Sequence, residues 1–160
     1  MDPINASVRI YRLCKRKYSR TVLTGQGALV VSGRWHSAGT PIVYCASTEA
    51  LAVIEVRVNI GRFVPREQFD MHAIEIAGEL VEHLPMDRLP TDWNSVPSGP
   101  ATRRIGDAWL ATSTSLALRV PSIHSRSDYT VLLNPAHGSM REVRVTESWP
   151  YDFDKRLLGE

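Results

Sequence analysis

Three side chains able to do chemistry fall within one short stretch: Arg34 in Gly33-Arg34-Trp35-His36, Tyr44 in Ile42-Val43-Tyr44-Cys45-Ala46, and Glu55 in Leu51-Ala52-Val53-Ile54-Glu55-Val56. A guanidinium can clamp an anion, a phenol can stack or hydrogen-bond, and a carboxylate can stabilise positive charge that develops during bond cleavage. Glu55 is the anomaly. At helical spacing it shares a face with Leu51, Ala52 and Val58, and no basic residue precedes it at that spacing to neutralise it. A carboxylate so placed either faces a cleft or carries a desolvation cost. Read singly, Arg34 is equally an arginine stacked on Trp35, and Tyr44 a core tyrosine whose hydroxyl is tied to backbone.

The elements that must position these groups can be read from pattern. Ile42 to Ala46 reads as a short buried strand, and Ser47 or Thr48 is an N-cap for a helix through Glu55. Val8 to Leu13 alternates Val8, Ile10, Tyr11 and Leu13 with Arg9 and Arg12, a strand that delivers an arginine to a sheet face. Residues 15–33 carry Gly25, Gly27 and Gly33 with little periodicity, and read as a long excursion bounding a site.

Further along, residues 69–77 and 129–133 read as strands, the second stopped by Asn134-Pro135. Residues 85–100, with four prolines, read as an irregular connection anchored by Trp93. A helix is expected over 102–116, then a strand through Val120 into Pro121-Ser122. Residues 140–146 alternate as a strand, and Tyr151-Asp152-Phe153 begins a further one.

The chain has 160 residues, 43% of them hydrophobic and 22% charged, which suffices for one domain over 1–160 with its own core and no staples. A net charge of +2 is too slight to predict a nucleic-acid partner, although Lys15-Arg16-Lys17 with Arg20, and Arg103-Arg104, form local basic clusters. Cys14 and Cys45 lack metal or redox spacing, and Cys45 reads as a small core residue. The 5 histidines are scattered without paired spacing, so no metal is expected. Neither a signal core in the first 30 residues nor a run of membrane-spanning length is present, and a soluble cytoplasmic protein is the expectation. Gly25-Gln26-Gly27 is a weak phosphate-loop signal, lacking a Walker lysine, and Ser122 has no nucleophile elbow around it.

The ordered series Ile10-Tyr11-Arg12-Leu13, Gly25-Gln26-Gly27-Ala28, Gly33-Arg34-Trp35, Gly39-Thr40-Pro41-Ile42-Val43-Tyr44 and Ala50 to Glu55 resembles the RES-domain toxins of bacterial RES/Xre toxin–antitoxin pairs. Gly106-Asp107-Ala108-Trp109-Leu110, Val120-Pro121-Ser122 and Leu132-Leu133-Asn134-Pro135 resemble that family's second half. His36 departs from it, standing where asparagine is common.

The resemblance implies a compact α/β (α+β) fold similar to ADP-ribosyltransferase toxins, and an activity that consumes NAD+ as substrate with no other cofactor. It places Arg34, Tyr44 and Glu55 at catalytic positions, with Ser122 and Arg12 as substrate binders. It implies an Xre-type antitoxin as partner and leaves a homo-oligomer open. The acceptor of ADP-ribose stays open among water, phosphate and a protein. A non-catalytic interaction domain is the alternative from another class.

Overall fold

A computed structural model describes residues 6–61 and 66–160. Its centre is a seven-stranded sheet made of β1 (Ser7–Lys15), β2 (Val43–Ala46), β3 (Phe69–Ala77), β4 (Val81–His83), β5 (Ala117–Pro121), β6 (Tyr129–Leu133) and β7 (Arg144–Tyr151). The strand order is β4-β5-β6-β2-β1-β3-β7, and every pairing is antiparallel except β4 with β5. Two helices, α1 (Glu49–Ile60) and α2 (Pro100–Thr112), complete an α+β fold.

The strands alternate as half-buried and fully buried sheets require. Val43, Cys45, Val131, Leu133, Ile10 and Ile74 form one core cluster, with Leu116, Val143 and the partly buried Leu23 and Met140 among its neighbours. Cys45 is a core residue, and burial pushes its thiol up to about 12. Tyr44 and Ala46, two residues apart on β2, belong to two other clusters. Tyr44 packs with Trp109 and Leu110 of α2, and Ala46 with Leu51 and Ala52 of α1. Residues two apart share a strand face, so both helices cover the same side of the sheet.

The helix starts follow their chemistry. Thr48 caps α1, its hydroxyl accepting from the Leu51 N–H at 3.2 Å. Pro100 opens α2 at a position where its missing N–H costs nothing. That helix ends at Thr112, earlier than the sequence pattern indicates, because Ser113 turns left-handed at φ 51° and its N–H closes on the Trp109 carbonyl. Leu116 is buried beyond the helix end instead of extending it.

Three other segments also differ from the sequence reading. Residues 15–33 contain two 3-10 turns, Arg16–Thr21 and Gln26–Leu29. Residues 138–142 form a 3-10 turn, so the strand expected over 140–146 begins only at Arg144. Tyr151 closes that strand and starts no other. Parallel edge strand β4 is three residues long, too short for a periodic signal.

Candidate active site

Strands β1 and β2 pair at a single position, Tyr11 with Ala46. Beyond it they part, and the Arg12 side chain enters the fork, where its Nη1 donates to the Tyr44 carbonyl at 2.7 Å. The Arg12 Nε is enclosed without a partner. This fork opens into a cleft of about 900 Å³ against α1, lined by Arg12, Arg34, Tyr44, Glu55, Ser122 and His124 among others. All five residues singled out in the sequence therefore meet in one cavity.

Tyr44 projects from β2 into the turn that carries Arg34. Its hydroxyl accepts the Trp35 N–H at 3.1 Å and lies 2.7 Å from Nδ1 of the buried His36. The His36 Nε2 is 2.9 Å from the Val31 carbonyl. A carbonyl can only accept, so Nε2 carries the hydrogen and Nδ1 accepts a hydrogen bond from the Tyr44 hydroxyl. Gly33 makes room for this arrangement, since a Cβ there would stand 2.6 Å from the Tyr44 hydroxyl. The hydroxyl is thus spent on the turn, as in the core-tyrosine alternative, while the residue still lines the cleft. Burial raises its pKa, partly opposed by the Trp35 N–H.

Helix α2 clamps the same turn from outside. Gly106 lets the helix touch the Trp35 carbonyl directly; a Cβ there would be 1.6 Å from that oxygen. Asp107 accepts from the Ser37 N–H at 2.8 Å and from its hydroxyl at 2.6 Å, and Arg103 reaches the Gly33 and Ser98 carbonyls. Arg34 is fixed by its Nη1, which donates to the Trp93 and Ser95 carbonyls at 2.8 and 2.9 Å. Among the described residues its remaining guanidinium N–H groups have no partner. Burial lowers its pKa, while Glu55 and Tyr44 act in the opposite sense.

Glu55 sits on α1 one turn beyond the buried Leu51 and Ala52, with Val58 at the rim and exposed. Its carboxylate lies 3.7 Å from the His124 Nε2, with no Lys or Arg within 4 Å among the described residues. Burial raises its pKa above the ordinary carboxylate range, and the charges of His124 and Arg34 pull it back. Ser122, just past β5, is buried, and its Oγ accepts the His124 N–H at 3.1 Å.

Sequence reasoning passed over His124 and Asp107, and left the contacts of His36 undefined. A hydrogen-bond-capable residue two positions after Ser122 was the visible signal for His124. Asp107 gave none, because its partner is 70 residues away. Among the described residues, no group of three or more His, Cys, Asp and Glu side chains comes together, and no helix is long and apolar enough to cross a membrane.

The arrangement offers two guanidinium groups and one carboxylate to a single ligand. Solved structures include a fold of this kind: the Mycobacterium tuberculosis MbcT–MbcA toxin–antitoxin complex contains a chain that superposes with a TM-score of 0.72, covering 92% of this chain and 86% of that one at 18% identity. Among sequences, a protein named Toxin Res from Photorhabdus laumondii is 35% identical over 150 residues, 93% of this chain and 96% of its own length. A Prs ADP-ribosylating toxin from Sphingobium is 33% identical over 148 residues, 89% of this chain and 91% of its own. The RES domain matches residues 9–154, a span that includes every residue of the cleft described above, and on that match and these identities the chain belongs to the RES domain family.

Proposed function

We propose that the cleft binds NAD+ and that the protein cleaves the nicotinamide–ribose bond, as the toxin of a toxin–antitoxin pair. The observation that carries this reading is the charge layout: Arg12 and Arg34 face the same cavity as a lone carboxylate, Glu55. Guanidinium groups suit a pyrophosphate, which offers paired anionic oxygens to a planar donor fork. A single carboxylate suits the other end of the molecule. As the C1′–N bond breaks, its electron pair leaves with nicotinamide, which becomes neutral, and positive charge develops on the ribose.

Glu55 stabilises that charge and accepts hydrogen bonds from ribose hydroxyls, a preorganised interaction of about 3 to 4 kcal/mol per group. Tyr44 contributes its ring as a stacking surface, since its hydroxyl is engaged in the turn. The acceptor of ADP-ribose is water, phosphate or a protein side chain, and its displaced proton leaves to solvent. Transfer to a protein is the second reading, favoured by the name of the Sphingobium relative.

An antitoxin, of Xre type, covers the cleft mouth. Val31, Val58 and Val96 line it, exposed by 66, 52 and 79%. Exposed apolar groups concentrated at the edge of one cavity suit a protein partner.

Induced expression tests the reading in cells. Growth arrest with a fall in NAD+, both relieved by the co-expressed antitoxin, is the expected outcome. Unchanged growth and NAD+ with soluble, folded protein would overturn it.

A further inference from the structure

The proposed reaction gives Glu55 a task and leaves His124 without one. His124 is nevertheless the basic side chain nearest to that carboxylate among the described residues, with Nε2 3.7 Å from Oε2, and it comes from the segment after β5 whereas Glu55 comes from α1. Its place is fixed by Ser122. The Ser122 Oγ accepts the His124 backbone N–H at 3.1 Å, a side-chain turn spanning two residues. Pro121, the last residue of β5, precedes Ser122 and restricts the chain's entry into this turn. Ser122 is buried at 7% exposure, as a residue whose hydroxyl serves the fold would be.

We infer that Ser122 and His124 form one positioning unit, in which Ser122 holds the turn, the turn holds the imidazole, and the imidazole orients the Glu55 carboxylate and sets its charge. This rests on the NAD+ reading of the cleft. The carboxylate of Glu55 accepts no side-chain hydrogen bond among the described residues, so its terminal torsion is otherwise loosely determined. A protonated imidazole at this distance attracts it, and a neutral one does not.

Other charged or titratable groups face the same space: Arg34 from the turn after residue 33, Arg12 from β1 and Tyr44 from β2. Asp128, in the same loop as His124, is turned towards Ser125 at 2.9 Å and Ser47 at 3.4 Å. His36 lines the same cavity with both ring nitrogens engaged, and burial raises the pKa of Tyr44.

A double-mutant cycle tests the unit, with nicotinamide release from NAD+ measured for wild type, Ser122→Ala, His124→Gln and the double variant, each checked for folding by circular dichroism. His124→Gln lowers kcat about tenfold with little change in KM, Ser122→Ala moves it the same way by less, and the double variant is no slower than His124→Gln alone within about twofold. Multiplied losses in the double variant would overturn the inference, as would a rise in KM from Ser122→Ala at constant kcat. The latter marks a serine that touches substrate directly.

A second readout separates this inference from the NAD+ reading. The His124 imidazole signals, followed by NMR at one fixed pH, move in both Ser122→Ala and Glu55→Gln if the three act together. Signals unmoved by either change would overturn the unit even in a protein that releases no nicotinamide.

Discussion

Two regions of this molecule bring arginines or lysines close to carboxylates, and they do so in opposite ways. At the start of the long segment after β1, Arg16 meets Asp70 at 2.8 Å and Gln68 at 2.7 Å, and Lys17 meets Glu67 at 2.9 Å, while Ser19 takes the second Asp70 oxygen. In the cleft, among the described residues, Glu55 has no basic partner closer than an imidazole at 3.7 Å, and the hydrogen bonds of the Arg34 side chain go to main-chain carbonyls. The first region is a surface where each cation finds a partner and fastens a turn to β3. Such pairs contribute about 0 to 1 kcal/mol each. The second leaves ionisable groups half-buried and short of partners, the condition that shifts pKa values and marks sites that await a ligand. Three cations of the basic run are thus paired locally with two carboxylates, and the cations we propose for function are the two arginines of the cleft.

This contrast can be broken most forcefully at Glu55. Glu55→Gln lowers nicotinamide release by about 100- to 1,000-fold, the loss typical of a preorganised group that stabilises transition-state charge. The same change raises the melting temperature at pH 7. Because burial raises the folded-state pKa of Glu55, the folded protein holds this proton more tightly than the unfolded chain, so ionisation costs stability as pH rises through the window between the two values. The advantage of Gln over Glu therefore shrinks as pH falls through that window. Thermal melts across pH check it, and a destabilised Glu55→Gln at pH 7 contradicts it. Activity falls on the acidic side as Glu55 takes up its proton.

Arg34→Lys follows in size. Loss of the planar fork removes charge-assisted hydrogen bonds worth about 1.5 to 3 kcal/mol, so kcat/KM drops about 10- to 150-fold while the net charge is unchanged. Steady-state kinetics with a drop below threefold would show that charge alone suffices there.

Tyr44→Phe comes next. It leaves the Trp35 N–H and His36 Nδ1 without their shared partner and costs about 1 to 3 kcal/mol of folding stability, read from denaturant unfolding. An unfolding midpoint within error of wild type would show that the turn does not depend on the hydroxyl.

The smallest effect belongs to the other region. Lys17→Ala leaves the unfolding midpoint close to wild type and nicotinamide release within twofold, because its pair with Glu67 is exposed. A larger loss of activity there would erase the contrast.

What the sequence made legible follows the range of the interactions. Strands at 69–77 and 129–133 were readable to the residue because apolar runs bounded by turn signals are local patterns. The capped start of α1 was equally local, and so was the misplaced carboxylate on its face. The 3-10 turn at 138–142 was hidden, since alternation over Met140 to Val143 looks alike whether the chain extends or turns. Asp107 was hidden because it acts on Ser37 across 70 residues, and His124 because only folding brings it to α1. The hydroxyl of Tyr44 follows the core-tyrosine alternative, spent by packing on the turn that holds Arg34, while which turn it would fasten was not legible in the sequence.

The most direct test of the central claim is nicotinamide release from NAD+ by purified protein, with folded Glu55→Gln alongside. Release by wild type that falls at least about 100-fold in the variant is the predicted result. No release by wild type with phosphate and cell lysate supplied, or equal release by both proteins, would contradict the account.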